Sequence, residues 1–177
     1  LETGDVEKIF AGLILLSGVN PAMQRARHFF ILMFLMRGMP FVDLAHLEKS
    51  NLNQGLLKYN RMKTGTPMSV EIIDSAYELL SLLRNNHSSS CSDRPDYLFH
   101  ILSGEYKRGE EGAYREYQSA LRKFNNHLKS LSRKLRLHSS VTSYTLRHSW
   151  ATTAKYRGVP IEMISESLGH KSIKTTQ

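Results

Sequence analysis

Two basic side chains interrupt a predicted helix near the end of the chain. The segment SYTLRHSWATTAKYRG (143–158) places Arg147 and His148 beside Trp150, the only tryptophan, where a packing helix would carry leucine or alanine. The apolar neighbours predict that part of this helix is buried, and a buried guanidinium requires an anionic partner. Arg147 is therefore a candidate for binding an anion. His148 points about 100° away from it around the helix and is predicted to have a core or supporting role, and Trp150 to be a core anchor.

Three other segments contain side chains of the same kind. Arg37 lies in FLMRGMP, Lys63 in RMKTGTP and His170 in LGHKSIKTTQ. Each has a structural alternative: a cation at a helix C-terminus complements the helix dipole, a hairpin lysine is solvated, and a histidine after Leu-Gly can be a helix cap or loop residue. Taken singly, none of the three establishes a functional site.

The overall charge favours a polyanionic partner. Lys and Arg number 24 against 16 Asp and Glu, which gives a formal charge of +8 and a pI near 9.7. Nucleic acid is the first candidate partner and an anionic membrane surface the second. The most apolar run, FFILMFLM (29–36), is far shorter than the roughly 20 residues that span a bilayer, so it is predicted to be a buried core helix.

Neither cysteine nor histidine forms a metal-ligand pattern. The single cysteine, Cys91, cannot form an intrachain disulfide, which indicates a reducing compartment such as the cytoplasm. No paired-carboxylate motif of a metal nuclease is present, and we predict neither a metal site nor a cofactor. The histidines without ligand spacing are His28, His46, His87, His100, His127 and His138.

Helical segments dominate the first third of the chain. Asp5 is predicted to cap a first helix whose apolar positions run to Leu16 and which ends at Ser17 and Gly18. Pro21 suits the first turn of a second helix, which is predicted to stop at Arg37 because Gly38 favours a left-handed end. A short helix, FVDLAHL (41–47), is expected to follow.

Between residues 51 and 70 the pattern changes to strands. Turn signals at Asn53-Gln54-Gly55 and Thr64-Gly65 alternate with apolar residues, which predicts a two- or three-stranded antiparallel sheet. EIIDSAYELLSLLRNN (71–86) returns to helical spacing, and HSSSCSDRP (87–95) is a polar loop within the domain. The fold class is therefore mainly α with a small antiparallel β-sheet (α+β), in one domain.

A long helix follows, with an apolar stripe and a basic face. The apolar positions recur at steps of three and four, the pattern of a helix packed on a core, and the other faces carry many cations that are either solvated or in contact with phosphates. Lys123, Lys129, Arg133 and, later in the chain, Lys171 are candidate DNA contacts. The stripe consists of Tyr114, Tyr117, Leu121, Phe124, Leu128, Leu131 and Leu135.

The four motifs occur in one order that identifies a family. An arginine before GMPFVDL, a lysine in a KTG hairpin, an LRHSWAT helix and a late LGHKSIKTT make the chain resemble the catalytic domain of tyrosine recombinases, the phage-integrase family, from about Leu1 to Gln177. Arg147 and His170 lie 23 positions apart, as the family pattern requires. RGMPFVDLAHL and SYTLRHSWAT are most similar to mobile-element integrases of Bacteroides-type bacteria.

The resemblance implies metal-free DNA strand exchange. A tyrosine attacks a phosphodiester, forms a 3′-phosphotyrosyl ester and releases a 5′-hydroxyl, and the step then runs backwards with a new strand. Without a metal, Arg37 and Arg147 would stabilise charge on the phosphoryl oxygens. Lys63 would protonate the leaving oxygen as general acid, and His170 would donate to a non-bridging oxygen.

The sequence departs from the family pattern at two places. Tyr144 occupies the position of the family's histidine three residues before the second arginine; its hydroxyl can bind phosphate, but an ordinary pKa of about 10 makes it a weak base. The family's nucleophile follows the motif histidine closely, which places it just beyond Gln177. We therefore expect residues 1–177 to be a catalytic domain that stops before its nucleophile and lacks the upstream core-binding domain.

The resemblance also implies partners and leaves alternatives. The expected partner is double-stranded DNA, with the full-length protein a homotetramer on two duplexes in the bacterial cytoplasm, associated with the nucleoid and not with a membrane. One alternative is a catalytically inactive DNA-binding module of the same fold. The other is a type IB topoisomerase-like enzyme, which shares the chemistry but relaxes supercoils.

Overall fold

Helices surround one small sheet in the parts of the chain that the structure describes. The computed structural model describes residues 3–11, 20–84 and 94–170, and confirms the predicted fold class. In chain order the elements are α1 (Thr3–Ala11), α2 (Pro21–Leu35), α3 (Phe41–Ala45), β1 (Leu52–Asn53), β2 (Leu56–Asn60), β3 (Pro67–Glu71), α4 (Asp74–Leu83), α5 (Glu111–Lys134), α6 (Ser143–Tyr156) and α7 (Ile161–Ser167).

Helix α2 forms the centre of the core, as its apolar run predicts. Phe30, Leu32 and Met33 are fully buried, and the helix packs against α4, α5 and α6. Full burial of one such side chain stabilises the fold by about 1.5–3 kcal/mol. The helix begins as predicted: Asn20 Oδ1 accepts a hydrogen bond from the Ala22 amide at 2.9 Å, and Pro21 occupies the first turn.

The end of α2 differs from the sequence prediction. The helix stops at Leu35, two residues before Arg37, and both Arg37 (φ +60°) and Gly38 (φ +68°) are left-handed. These two left-handed residues turn the backbone so that Met36 and Met39, which flank them, are both buried in the core at 1% exposure. The Arg37 side chain is exposed. The following helix α3 covers Phe41–Ala45 of the predicted 41–47.

Asp5 does not cap α1, so that prediction is wrong. The helix begins at Thr3 and Asp5 lies in its first turn, 1% exposed. Its Oδ1 accepts a hydrogen bond from the His138 amide at 3.3 Å, a contact across 133 residues that no local pattern encodes. The predicted continuation to Leu16 and the stop at Ser17 and Gly18 lie outside the described residues.

The predicted sheet is confirmed with three antiparallel strands in the order β1-β2-β3. Leu57 pairs with Val70, and both side chains are buried on one face. Gly55 (φ +77°) and Gly65 (φ +68°) form the two predicted turns. Because Glu71 ends β3, the helix predicted from residue 71 begins only at Asp74. Residues 87–93 of the predicted polar loop, with Cys91 and His87, lie outside the described residues.

The apolar stripe of α5 is confirmed except at its first member. Phe124, Leu128 and Leu131 are buried, and the other members except Tyr114 pack against the same core. Tyr114 is 64% exposed. The first turns of α5 extend past the core towards the loop before them, where the Tyr106 ring lies against Gly112.

The last helix, α7, was not predicted from the sequence. It follows Pro160 and ends at Ser167, shortly before the left-handed Gly169 (φ +63°), and with α6 it forms a second, smaller apolar cluster of Ala154, Ile164 and Leu168. Among the helices of residues 3–11, 20–84 and 94–170, none is both long and apolar enough to cross a bilayer.

Candidate active site

Arg147 lies on the inner side of α6, next to the end of α7. The helix is fixed at its start by a capping box between Thr142 and Thr145. The part-buried guanidinium donates from Nη1 to the Gly38 carbonyl at 3.2 Å and from Nη2 to the Leu168 carbonyl. The predicted partial burial of Arg147 is confirmed. Its hydrogen-bond partners are backbone carbonyls, which carry the partial negative charge of helix and turn ends.

The turn that carries Arg37 packs directly against α6. A Cβ atom on Gly38 would lie 3.1 Å from Trp150 Cβ and 3.5 Å from Arg147 Cα, so the close approach requires glycine in addition to its left-handed φ. The Gly38 carbonyl accepts from Arg147, which fixes the backbone of the exposed Arg37 one residue away. The structure thus brings the two predicted arginines to the same side of the molecule.

His170 reaches the same point from α7. Its Nε2 lies 3.3 Å from Arg147 Nη2, and its amide donates to the Ser165 carbonyl at 3.0 Å. Gly169 makes this placement possible, because a Cβ there would lie 2.9 Å from both Arg61 Cδ and Met68 Sδ. Arg147 and His170, 23 residues apart, are therefore in direct contact.

The electrostatics of this pair follow from burial and crowded positive charge. Burial, and next the charge on Arg61, lower the pKa of Arg147 to about 10 against the opposing charge on Asp43, so the guanidinium is still protonated at neutral pH. Burial, Arg147 and Arg61 also lower the pKa of His170. A neutral imidazole accepts from Arg147 through Nε2 and keeps its other nitrogen as donor.

A buried ion pair that the sequence reasoning missed lies beneath these residues. Asp43 on α3 and Arg61, just after β2, are 2% and 7% exposed, and Arg61 Nε lies 3.1 Å from Asp43 Oδ2, outside hydrogen-bond angles. Burial raises the pKa of Asp43, while the Met62 amide and the charges on Arg61 and Arg147 oppose that rise. The sequence feature that could have predicted this pair is Asp43 itself, a single carboxylate in the apolar run MPFVDLA.

Lys63 lies at the exposed tip of the β2–β3 hairpin. The turn is closed by the Gly65 amide on the Arg61 carbonyl (2.8 Å) and the Arg61 amide on the Thr66 carbonyl (2.9 Å). The residue before Lys63 is held to α3, because the Met62 amide donates to Asp43 Oδ1 at 2.9 Å. Lys63 is thus connected to Arg61 and Asp43 through the backbone of the hairpin.

Comparison with known proteins establishes the family and the fold. The sequence profile described as the phage integrase family matches residues 2–177. The chain belongs to that family. A probable integrase/recombinase protein of Methanocaldococcus jannaschii is 31% identical over 126 residues, 71% of this chain and 36% of that protein. Tyrosine recombinase XerA of Pyrococcus furiosus is 30% identical over 149 residues, 83% of this chain and 47% of that protein.

A solved structure shows the same fold. The XerH site-specific recombinase, crystallised in a pre-cleavage complex with its difH substrate, superposes with a TM-score of 0.68 at 18% identity, covering 99% of this chain and 48% of that chain. The chain spans less than half of the length of the two sequence relatives and 48% of the XerH chain.

Tyr144, the residue that replaces the family's histidine, lies on the outer face of α6. Its side chain is 71% exposed and its ring contacts the ring of His148 edge to face, with centroids 4.5 Å apart. His148 is exposed, so its predicted core role is wrong. The two residues lie one turn apart on a face that is not packed, whereas the buried face of α6 is made by Leu146, Ser149 and Ala154.

Trp150 is partly buried, and it packs against the small α6–α7 cluster and the Gly38 turn. The predicted anchoring role is confirmed, although the residue belongs to the smaller cluster and not to the main core.

The basic face of α5 is solvent-exposed, as predicted. Lys123, Lys129 and Arg133 are all exposed, and Lys129 and Arg133 share one stripe of the helix with Arg122 and Asn126. Lys171 lies outside the described residues. In residues 3–11, 20–84 and 94–170 no group of three or more His, Cys, Asp or Glu side chains is arranged to hold a metal ion.

Proposed function

We propose that this chain is the catalytic domain of a site-specific tyrosine recombinase, which cuts and rejoins double-stranded DNA by metal-free phosphoryl transfer. The tyrosine hydroxyl gives up its proton to solvent as its oxygen attacks the phosphorus, a 3′-phosphotyrosyl ester forms, and the bond to the 5′-oxygen breaks as that oxygen takes up a proton. The reverse step, on a 5′-hydroxyl of another strand, restores the phosphodiester. The attacking tyrosine of this scheme comes from sequence beyond these 177 residues.

The observation that carries the proposal is the contact between Arg147 and His170 beside the Arg37 turn. Arg147 donates to Gly38, Leu168 and His170, and its guanidinium has further N–H groups that can donate to a non-bridging oxygen of a phosphate beside His170. Preorganised donors of this kind act mainly on the charge that develops in the transition state.

The remaining roles divide by exposure. Lys63, exposed at the hairpin tip, supplies the proton for the 5′-oxygen, and Arg37 adds a second cation to the phosphoryl group. Tyr144 contributes a hydroxyl donor, in place of the family's histidine. The exposed Lys123, Lys129 and Arg133 of α5 follow the DNA backbone, and Lys171 is assigned the same role from its position in the sequence.

The assembly is part of the proposal. XerH was crystallised with its difH DNA substrate, and we infer that duplex DNA is likewise the substrate here. Two duplexes have to be held together for strand exchange, which supports a homotetramer of the full-length protein. It would act in the cytoplasm at the nucleoid, where its DNA substrate lies.

A covalent-capture experiment tests the proposal. The chain is expressed alone and with the sequence that follows it in its gene, and each protein is incubated with a library of nicked duplexes containing a randomised segment. The nick lets the cleaved end diffuse away, which traps the 3′-phosphotyrosyl adduct. We expect a denaturation-resistant protein–DNA band from the extended protein and none from residues 1–177 alone.

Variants and follow-up assays separate the alternatives. In the extended protein, Tyr144→Phe should slow adduct formation without abolishing it, and Tyr144→His should be tolerated. An adduct from the unextended chain that disappears in Tyr144→Phe would instead make Tyr144 the nucleophile. Binding without any adduct indicates an inactive DNA-binding module, and supercoil relaxation without exchange between two duplexes indicates a topoisomerase-like enzyme.

A further inference from the structure

Arg61 is a buried basic residue that connects three elements of the candidate site. Its Nε pairs with the fully buried Asp43 carboxylate of α3, and its Nη1 donates to the Leu168 carbonyl at the end of α7. That carbonyl also accepts from Arg147. Two guanidinium groups from distant parts of the chain therefore converge on one oxygen.

The aliphatic part of Arg61 also packs against the end of α7. A Cβ on Gly169 would lie 2.9 Å from Arg61 Cδ, so the side chain fits directly over the glycine that precedes His170. Arg61 thus fixes both the carbonyl of Leu168 and the backbone conformation of the residue before the proposed phosphate donor. The hydrogen bond from Arg61 to Leu168 spans 107 residues of sequence.

Its position in the sequence gives these contacts a functional meaning. Lys63, the proposed proton donor, is two residues after Arg61 in the same turn, and His170 is two residues after Leu168. Any movement of the hairpin relative to α7 would change the distance between the proton donor and the Arg147–His170 pair. Arg61 joins these two segments by its hydrogen bond to Leu168, and Met68 of β3 adds a packing contact at Gly169.

Arg61 is not suited to bind DNA itself. Only 8% of its side chain is exposed, and its guanidinium lies between Asp43 and Leu168, where a DNA phosphate cannot reach it. Lys63, two residues away, is exposed. Arg61 is therefore suited to hold the elements of the site together, and Lys63 to contact a DNA substrate.

We propose that Arg61 is a positioning residue for strand cleavage, which holds the Lys63 hairpin against the end of α7 so that Lys63, Arg147 and His170 address the same phosphate. This inference rests on the proposed recombinase function. The positive charge of Arg61 adds a second effect, since it lowers the pKa of both Arg147 and His170.

Single-turnover cleavage by the extended protein provides the first test. Arg61→Met should lower the cleavage rate on the order of 10²-fold at saturating DNA, the scale expected from misplaced catalytic groups, with the Kd for DNA unchanged. Arg61→Lys keeps a positive charge but loses the guanidinium fork, so its cleavage rate should lie between the rates of the parent protein and Arg61→Met. Arg115→Met, which breaks an exposed ion pair with Glu111 on α5, is the matched control and should cleave at the parent rate.

A modified substrate tests whether Arg61 acts through Lys63. Sulfur in place of the bridging 5′-oxygen gives a thiolate leaving group that needs no proton, because a thiol has a pKa of about 8.5. Lys63→Met and Arg61→Met should both recover towards the parent rate on this substrate. A rate deficit of Arg61→Met that is equal on the oxygen and sulfur substrates would overturn the proposal.

Two further measurements keep the test independent of folding and of the proposed function. Asp43→Asn/Arg61→Met removes both buried charges and keeps an acceptor for the Met62 amide; if it folds and cleaves at the parent rate, Arg61 has no positioning role. Histidine NMR of the 177-residue chain should show a higher pKa for His170 in Arg61→Met, and no change would refute the proposed coupling between the two residues. Absence of cleavage by the parent protein, with that pKa change present, would refute the recombinase proposal instead.

Discussion

The two sides of the candidate site differ in how firmly their side chains are held. On the α6–α7 side, the Arg147 guanidinium is part-buried, bonded to two backbone carbonyls and 3.3 Å from His170. On the hairpin side, Lys63 is exposed at the tip of a turn whose backbone alone is fixed. The α6–α7 side is therefore preorganised before a ligand binds, whereas the Lys63 side chain on the hairpin side can extend towards the ligand.

This difference matches the two kinds of work that metal-free phosphoryl transfer requires. Charge stabilisation is strongest when donors are fixed and partly shielded from water, since Coulomb energies rise as the local dielectric falls. A general acid has to come within hydrogen-bond distance of the leaving oxygen only as the bond breaks. A flexible, exposed lysine suits the second task, and a buried guanidinium suits the first.

The largest effect is expected from Lys63, without a change in stability. Lys63→Met in the extended protein should lower single-turnover cleavage by about 10²- to 10⁴-fold, the usual contribution of a general acid. The melting temperature should match that of the parent, because the side chain is exposed. Lys58→Met, at another exposed lysine of the hairpin, is the control. A large drop in melting temperature for Lys63→Met would remove the contrast between the two sides.

Arg147 should affect both activity and stability. Arg147→Met should lower cleavage by about 10²- to 10³-fold, as for loss of one transition-state donor. It should also destabilise the fold by about 1–3 kcal/mol, because the Gly38 carbonyl would lose its charged donor and the Leu168 carbonyl would keep only the one from Arg61. Urea unfolding and cleavage kinetics measure the two effects.

Arg37→Met gives the matched comparison for Arg147, since Arg37 is exposed on the adjoining turn. It should slow cleavage with little loss of stability. If Arg37→Met and Arg147→Met lower the unfolding free energy equally, Arg147 does not stabilise the fold more than the exposed Arg37 does.

A smaller effect is expected from the α5 face, and on binding only. Changing Lys123, Lys129 and Arg133 together to Ala should weaken DNA binding and reduce the slope of log K against log salt by about 0.9 for each phosphate that the variant no longer neutralises. The cleavage rate at saturating DNA should stay at the parent value. Fluorescence anisotropy across a salt series measures the slope, and an unchanged slope would place the DNA elsewhere.

The smallest effect is a pH dependence of stability. Burial is the first cause that lowers the pKa of His28, His46 and His170, and nearby arginines add to it. Below about pH 6.5 the unfolded chain therefore takes up protons before the folded one, so stability should decrease as the pH falls towards the lowered values.

Urea midpoints at steps between pH 7.5 and about 5.5 test this sign. His170→Asn should make the decrease shallower. Stability that rises as the pH falls through this range would contradict the assignment of neutral, buried histidines.

The sequence predicted most of the elements, but not the network of contacts that joins them. Helical and strand periodicity located α2, α4, α5, α6 and the three-stranded sheet, because these patterns are local. The end of α2, the exposure of Tyr114 and His148, and the role of Asp5 were predicted wrongly, since each depends on which neighbouring element packs against that residue.

By itself, the sequence determined the elements, the positive charge and the family, through motifs whose order along the chain is fixed. Only the tertiary structure decided that Arg61 and Arg147 donate to the same Leu168 carbonyl. The same is true of the contacts by which Asp43 holds the β2–β3 hairpin next to that carbonyl. The physical reason is distance along the chain: these hydrogen bonds join residues 19 to 107 positions apart. A long-range hydrogen bond leaves no periodicity in the residues that make it, so it is decided only when the helices and the sheet have packed.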